Sequence, residues 1–318
     1  MKIVIFGGTG QIGGVLVKAF GARGDDVVVV SRSGATAARR VAWDGRSLGP
    51  WVRELDDADV VVNLAGRSVN CRYTPANRKA MFDSRVESTR AVGAAIAECA
   101  RPPRVWLQMS TATIYSHRFD AANDEASGVL GGAEPDAPAA WKFSIEIARA
   151  WEAELLAAYT PRTRKVALRS SVVLSPDRGG IFDVLVGLTR AGLGGTIAGG
   201  AQYVSWLHDR DFVRMLEFLI AHEELDGAVN LASPNPLPQR EFMADLRAAW
   251  GTGLGLPATR LMTEIGAFFL RTESELTLKS RRVVPGRLLD AGFQPAFPTW
   301  PEAARDLVAR YRATQGSG

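Results

Sequence analysis

The sequence has few of the residues that build disulfide frameworks and metal sites. Its 318 residues include 2 cysteines, Cys71 and Cys99, and 3 histidines. Two cysteines exclude a disulfide-rich scaffold and suit a reducing compartment. No group of cysteines and histidines has the spacing of a zinc site. We therefore expect a cytoplasmic protein without a metal site.

The sequence also lacks long apolar runs and a strong excess of one charge. No uninterrupted apolar stretch is long enough to cross a bilayer, and a strand pattern begins so soon after Met1 that we expect no signal peptide. Lys and Arg number 38, Asp and Glu 34, and the net charge is +4. This mild charge does not indicate nucleic-acid binding. We expect a small-molecule substrate, no nucleic-acid or membrane partner, and a monomer or homodimer.

Apolar runs alternate with helical patterns through the first half of the chain. Runs such as IVIF (3–6) and VVVV (27–30) are rich in β-branched residues. Such runs are typical of parallel strands buried on both faces, joined by helical crossovers. Strands are predicted at 3–6, 27–30, 40–43, 60–65, 104–110, 165–174 and 227–232, and helices at 12–22, 47–56, 75–98, 139–158, 181–191 and within 205–224.

The alternation ends after Leu174. A glycine-rich loop (191–200) and a proline-rich segment (233–242) follow, with helices and short strands to the C-terminus. We predict an α/β fold with a Rossmann-like doubly wound parallel sheet and a smaller C-terminal part. The sheet is assigned to residues 1–174 and about 203–232, and the smaller part to about 175–202 and 233–318.

A glycine motif lies between the first strand and the first helix. In G-x-x-G-x-x-G, Gly7 allows a tight turn, Gly10 lets a pyrophosphate approach the backbone, and Gly13 lets helix and strand pack closely. The helix N-terminus adds amide donors and a positive dipole end. A dinucleotide site is therefore predicted here, formed by Gly7, Thr9, Gly10, Gln11, Ile12 and Gly13.

The end of the second strand indicates which dinucleotide binds. NAD sites usually place an acid there, but this strand ends in Ser31, Arg32 and Ser33. A guanidinium suits a 2′-phosphate, so NADP(H) is favoured; the alternative is that Arg32 is only a solvated strand end. Asp44 could bind the adenine amino group or act only as a turn residue. Small residues after the fourth strand would let the cofactor lie close, or serve close packing alone: Leu64, Ala65 and Gly66.

A series of short motifs runs along nearly the whole chain. They are GGTGQIGG (7–14), NLAG (63–66), SRVEST (84–89), STATIYS (110–116), FSIEIARAWE (143–152), LRSSVVLS with GG (168–180), GLGGTIAGGAQYVSWLH (192–208), NLASPNPLPQREF (230–242) and SRRVVPGRLLDAGF (280–293). In this order they resemble the extended short-chain dehydrogenase/reductase superfamily. The closest resemblance is to an atypical branch, the NAD(P)-binding epimerase family proteins with a C-terminal domain of unknown function.

The resemblance implies NADP(H), a C-terminal part that caps a substrate cleft, and cofactor contact by Arg85 in the SRVEST motif. The superfamily's catalytic dyad, Tyr-x-x-x-Lys, is absent: Phe143 and Ile147 stand at that spacing, and no tyrosine is followed four positions later by lysine. The branch shares this trait. This chain departs from the branch at two places. Arg67 stands where the branch often has an acid, and Thr113-Ile114-Tyr115-Ser116 stands where the branch usually has Gly-Tyr-Tyr-Gly.

Several side chains are candidates for catalysis. Ser110 and Thr111 bracket the superfamily's hydroxyl position, which polarises a substrate carbonyl. Tyr115 is the nearby phenol, and Glu146 could act as acid or base. The alternatives are a Ser/Thr-rich strand end, a pocket-lining tyrosine and a solvated carboxylate.

Arg67, Arg169 and Trp206 are predicted to line a substrate pocket, although Arg169 could instead form a core salt bridge. His208 is interpreted mainly as structural. A basic cluster, made of Lys279, Arg281, Arg282 and Arg287, is interpreted mainly as a solvated face.

The function expected from these features is that of an NADP(H)-dependent oxidoreductase or a nucleotide-sugar-epimerase-like enzyme. The missing dyad leaves an alternative, a non-catalytic protein that senses NADP(H).

Overall fold

The computed structural model describes residues 1–34, 36–135, 137–259, 262 and 275–315. Its strands are β1 (Lys2–Phe6), β2 (Asp26–Ser31), β3 (Arg39–Ala42), β4 (Val60–Asn63), β5 (Val105–Thr111), β6 (Arg164–Ser170), β7 (Val172–Leu174), β8 (Tyr203–Val204), β9 (Trp206–His208), β10 (Gly227–Leu231) and β11 (Leu237–Pro238). Its helices are α1 (Gln11–Ala22), α2 (Pro75–Glu98), α3 (Ala139–Ala157), α4 (Ile181–Arg190), α5 (Asp209–Ala221), α6 (Gln239–Trp250), α7 (Glu275–Leu278), α8 (Gly286–Asp290) and α9 (Trp300–Gln315).

The central sheet is parallel throughout, in the order β10-β6-β5-β4-β1-β2-β3. Its inner strands are mostly apolar and mostly buried, because helices cover both faces. The strand order reverses beside β1, which pairs with both β2 and β4. A cleft at the carboxyl ends of these strands is the usual ligand position in such sheets.

One helical layer lies on each side of the sheet. On one face, α1 and α5 contribute Leu16, Phe20 and Phe212 to the core. On the other face, α2 and α3 contribute residues such as Val92 and Leu155. The predicted Rossmann-like doubly wound sheet is therefore confirmed.

The predicted strand at 165–174 is wrong in its second half. Strand β6 ends at Ser170, and Val172–Leu174 leaves the sheet to pair with β9. The last contact with β10 is the backbone N–H of Ser171, which donates to the carbonyl of Leu231, and the residues after it pair with β9 instead. The predicted helix at 47–56 is also shorter than expected, a 3-10 turn at Pro50–Glu54.

The elements after β7 form a separate apolar cluster. Phe182 of α4, Phe242 of α6 and Trp300 of α9 are buried together in it. Strand β10 nevertheless returns to the central sheet, beside β6. Along the described part of the chain, no helix combines the length and the apolar character needed to cross a membrane.

Candidate cofactor cleft and active site

The turn between β1 and α1 is built around its glycines. Gly7 has a left-handed backbone, with φ of 74°, and a Cβ placed there would lie 3.0 Å from the backbone of Ala65. A Cβ on Gly13 would lie only 2.4 Å from Gly8. Gly10 is exposed, and a Cβ there would meet only the Gly7 carbonyl oxygen, at 3.6 Å. The turn is therefore closed on its inner side and open where it faces the cleft.

Helix α1 begins at the open side of this turn. Gly10 precedes the helix with an extended backbone, and no side chain caps the first turn. The first amides of a helix have no acceptor within the helix, and they carry the positive end of its dipole. Residues Gln11 to Gly13 therefore offer backbone donors for an anion, as the glycine motif predicted.

Arg32 lies exposed just beyond β2. Among the described residues it forms no ion pair, whereas Ser31 is buried and its hydroxyl donates to the carbonyl of Ser33. Asp44 accepts the backbone N–H groups of Arg46 and Ser47, at 2.9 and 2.8 Å. These hydrogen bonds lower the pKa of Asp44 to about 2. Asp44 is thus a turn residue, which was one of its two predicted roles.

Arg85 is a buried cation beside the NLAG segment. It is 9% exposed, and a Cβ on Gly66 would lie 3.4 Å from its side chain. Its Nη1 donates to the carbonyl of Met81, and its guanidinium lies 4.9 Å from the centroid of the Trp151 ring. Burial lowers its pKa to about 10. No acidic side chain in the described ranges pairs with it, so an anion next to Gly66 would offset the cost of burying this charge.

Ser110, Tyr115 and Arg169 belong to one buried hydrogen-bond network. The hydroxyl of Ser110 donates to Glu152 at 2.7 Å. Arg169 donates to both oxygens of Glu152, at 2.9 and 2.8 Å, and to the Tyr115 hydroxyl at 3.0 Å. The Tyr115 hydroxyl donates to Asn230 at 2.9 Å. The network joins β5, β6, β10 and α3.

This geometry favours the structural alternatives for three predicted site residues. Burial is the largest single influence on Arg169 and opposes its charge, but the hydrogen bonds and the charge of Glu152, together with Tyr115, outweigh burial and raise the pKa of Arg169. Burial also raises the pKa of Tyr115. Arg169 therefore forms the core salt bridge that was its alternative role, and the hydroxyls of Ser110 and Tyr115 are already used within the network.

Thr111 is the other member of the predicted hydroxyl pair. It ends β5 and is half-buried, and its Oγ1 accepts the backbone N–H of Thr113 at 3.2 Å. Successive side chains of a strand point to opposite sides. Because Ser110 points to Glu152, Thr111 points the other way and is the member of the pair whose hydroxyl lies outside that network.

Glu146, Arg67 and Trp206 occupy different surroundings. Glu146 is exposed on α3, in a shallow surface depression that Lys142 and Arg149 also line. Arg67 is exposed, and its guanidinium donates to Asn77. Trp206 is fully buried, with its ring 5.2 Å from that of Trp300. The structure therefore does not bring these three together with Thr111.

A second polar cluster lies where β5, α3 and the C-terminal part meet. Ser144 donates to Glu275 at 2.5 Å, and the Tyr73 hydroxyl lies 3.4 Å from Ser144. Lys279 donates to the carbonyl of Thr113 at 2.8 Å, and Arg281 donates to the Thr113 hydroxyl at 3.2 Å. We call this group the Tyr73 cluster; its members are Tyr73, Thr113, Ser144, Glu275, Lys279 and Arg281.

The Tyr73 cluster corrects the interpretation of Lys279 and Arg281 as a solvated basic face. Lys279 is 2% exposed, and the side chain of Arg281 is 17% exposed. Burial, together with the charge of Arg281, lowers the pKa of Lys279 to about 8. The correction arises because the segment after α7 folds back against the end of β5.

His208 is structural, as expected. It is fully buried, its ring accepts the backbone N–H of Arg210, and its Nε2 lies 3.0 Å from Asp306. Burial lowers its pKa. Within the described residues, no group of His, Cys, Asp and Glu has the arrangement of a metal site.

Two family models match the sequence. The NAD dependent epimerase/dehydratase family matches residues 3–232, and a domain of unknown function, DUF1731, matches residues 264–307. The chain belongs to the epimerase family. This confirms the resemblance drawn from the motifs, including its C-terminal domain.

Relatives in the epimerase family cover nearly the whole chain. Epimerase family protein SDR39U1 of Bos taurus is 32% identical over 316 residues, which are 97% of this chain and 100% of that protein. Epimerase family protein Mb2239 of Mycobacterium bovis is 31% identical over 304 residues, 95% of each chain. A crystal structure of human SDR39U1 (isoform 2) with NADPH has a TM-score of 0.84 at 29% identity, covering 97% of this chain and 99% of that one.

Sequence motifs alone did not indicate the partners within this epimerase family site. Glu152 lies in the FSIEIARAWE motif but had no predicted role, and Tyr73 and Glu275 belonged to no predicted site. Apolar flanks would have been the available signal, since a charged residue between buried positions usually has a partner. Glu152, between Trp151 and helix positions packed on the sheet, fits that rule.

Proposed function

We propose that this epimerase family protein binds NADP(H) across the carboxyl ends of β1, β2 and β4. It would use the nucleotide in a redox step on a small carbonyl or sugar-derived substrate, as an oxidoreductase or a nucleotide-sugar-epimerase-like enzyme. The observation that carries the proposal is the glycine turn, which is closed toward Ala65 and open at Gly10. The NADPH bound to human SDR39U1 agrees with it.

The residues at the turn fit a diphosphate. The amides that begin α1 and the buried guanidinium of Arg85 approach the NLAG segment from two directions. Backbone donors and a bidentate guanidinium are the usual ligands of phosphate oxygens. Arg85 supplies the positive charge, and the diphosphate supplies the counter-charge that the described residues do not.

Arg32 fits the phosphate that distinguishes NADP(H) from NAD(H). It lies exposed at the end of β2, where NAD sites carry an acid. A guanidinium without an ion-pair partner among the described residues has its five donors available for a 2′-phosphate. Ser33, also exposed, lies next to it.

Thr111 is the residue that would polarise a substrate oxygen. A bound nicotinamide supplies hydride chemistry at this edge of the sheet, and the Thr111 hydroxyl at the end of β5 would donate to the substrate oxygen there. The segment after β7 lies against the start of α1: Gln11 donates to Ser175 at 3.2 Å, and a Cβ on Gly180 would lie only 1.9 Å from Gln11. This contact supports a C-terminal part that covers the cleft and excludes water.

A non-catalytic NADP(H) sensor is the second candidate. The absence of Tyr-x-x-x-Lys favours it, since Phe143 has no proton to give. A reductase must oxidise NADPH in the presence of its substrate, and an epimerase must interconvert sugar epimers without net use of the nucleotide, whereas a sensor binds the nucleotide without turnover.

Calorimetry with NADPH and NADH tests the cofactor assignment. We expect NADPH to bind more tightly than NADH. Arg32→Asp should remove or reverse that preference, because it replaces a hydrogen-bond donor to the 2′-phosphate by an acid that repels it. Arg53→Asp, at another exposed arginine, is the control for the change in net charge. Incubation of the NADPH complex with a panel of aldehydes, ketones and nucleotide sugars then separates enzyme from sensor. Binding of neither nucleotide would contradict the proposal.

A further inference from the structure

Tyr73 lies beside the position of the missing catalytic tyrosine. It belongs to the loop between β4 and α2, and its ring centroid is 5.6 Å from that of Phe143 in an edge-to-face arrangement. Tyr73, Met81 and Ile147 are buried together, with Phe143 against them. Phe143 and Ile147 are the two residues at the dyad spacing, so this chain places a phenol from another element against both.

The hydroxyl of Tyr73 is the polar end of this otherwise apolar contact. It lies 3.4 Å from Ser144, whose own hydroxyl donates to Glu275 at 2.5 Å. Because Ser144 gives its proton to Glu275, the Ser144 oxygen is left as an acceptor for Tyr73. A contact of 3.4 Å is long for an O–H···O hydrogen bond.

The Tyr73 cluster reaches the end of β5. Arg281 lies 3.6 Å from Glu275 and donates to the hydroxyl of Thr113. Thr113 in turn donates its backbone N–H to Thr111. These contacts connect the Tyr73 cluster to the carboxyl end of β5, the edge of the sheet where open α/β sheets bind their substrates.

We propose that Tyr73 donates the proton when this protein reduces a carbonyl substrate. The inference rests on the proposed function. The reductant is NADPH: a hydride adds to the carbonyl carbon, the π electron pair moves to the oxygen, and that oxygen takes the proton from the Tyr73 hydroxyl. Water returns a proton to the phenolate, so the net reaction consumes one carbonyl group, one hydride and one solvent proton. Thr111 holds the same oxygen by a hydrogen bond.

The electrostatics suit a donor. Burial, with a contribution from the charge of Glu275, raises the pKa of Tyr73. The phenol therefore stays protonated at neutral pH and is ready to give a proton to a developing alkoxide. The protonated phenol is the form that carbonyl reduction requires.

Kinetics of Tyr73→Phe test the inference, with Tyr159→Phe as a matched control because Tyr159 is 82% exposed. We expect Tyr73→Phe to keep the NADPH affinity and to lose about 100-fold or more in kcat, the usual contribution of general acid catalysis. The control should match the wild type. A wild type that reduces no carbonyl would overturn this inference, and one that in addition interconverts no nucleotide sugar would overturn the proposed enzyme as well. A Tyr73→Phe variant as active as the wild type would overturn this inference alone.

A readout that needs no turnover comes from 3-fluorotyrosine and fluorine NMR, which follow each phenol separately. Tyr73→Phe assigns the Tyr73 resonance, and Tyr159 is the exposed reference. We expect NADP⁺ to lower the titration midpoint of Tyr73, because the nicotinamide is cationic. Adenosine 2′,5′-bisphosphate fills only the adenosine half and should leave the midpoint unchanged. A midpoint that is indifferent to NADP⁺ would place Tyr73 away from the reacting atoms and overturn the inference.

Discussion

Breaking the ion pair of Arg169 and Glu152 should destabilise the fold strongly. Both side chains are 11% exposed, and the guanidinium donates to both carboxylate oxygens. Arg169→Met would leave the buried carboxylate of Glu152 with the Ser110 hydroxyl as its remaining partner in the network. Removing one partner of such a pair costs about 3–5 kcal/mol. We expect a loss of that size in the free energy of unfolding.

A double variant measures the interaction energy between the two charges, apart from the effect of each single substitution. Arg169→Met combined with Glu152→Leu removes both charges, and apolar replacement of a whole buried pair is often nearly neutral. We expect the double variant to be more stable than Arg169→Met, with a coupling energy of at least about 1 kcal/mol. Guanidinium unfolding followed by circular dichroism and tryptophan fluorescence gives these energies.

The same variants distinguish the two predicted roles of Arg169. As a structural residue, Arg169 should lose stability on substitution while the folded fraction keeps its NADPH affinity. If Arg169 instead held an anionic substrate, Arg169→Met would be about as stable as the wild type and would raise KM. A cost below about 1 kcal/mol, or a double variant no better than the single one, would refute the structural assignment.

Three further substitutions test the buried charges and the glycine turn. Folding lowers the pKa of Lys279 from 10.5 to about 8. Between these pH values the unfolded chain binds more protons than the folded chain, so the free energy of unfolding should rise with pH. Unfolding experiments on Lys279→Met should no longer show that rise. Arg85→Met should raise stability without nucleotide and weaken NADPH binding in calorimetry, since it removes a buried charge that the nucleotide would pair; a variant less stable in both states would contradict this. Gly13→Ala should lower both stability and NADPH affinity, because its Cβ would lie 2.4 Å from Gly8; unchanged thermal unfolding would contradict the close approach.

The sheet could be predicted because its strands carry their own signal. Strands β1, β2 and β4 are continuous apolar runs that helices bury on both sides. The end of β6 could not be predicted, since residues 171–174 are as β-branched as the strand before them. Their departure depends on pairing with β9, which begins 34 positions after Val172 and which no local pattern records.

The cofactor turn could be predicted for a similar reason. Gly7, Gly10 and Gly13 act on backbone within a few positions of themselves, apart from the contact of Gly7 with Ala65. The catalytic candidates depended on distant partners instead. Ser110 bonds to a residue 42 positions away, and Tyr115 to one 115 positions away. A catalytic hydroxyl at a strand end and a hydroxyl that hydrogen-bonds to a buried side chain look alike in sequence. Only the hydrogen-bond partner in the folded protein distinguishes them.

The two halves of the site therefore draw on different parts of the chain. The groups proposed to hold NADP(H), from Gly7 to Arg85, lie before β5, whereas the Tyr73 cluster takes Glu275, Lys279 and Arg281 from the C-terminal part. Nucleotide preference can then persist while the reaction changes, because substitutions at positions 275–281 alter the surroundings of the Tyr73 phenol without touching the glycine turn. Because this chain lacks Tyr-x-x-x-Lys, the C-terminal segment is where its substrate preference and proton transfer should be sought.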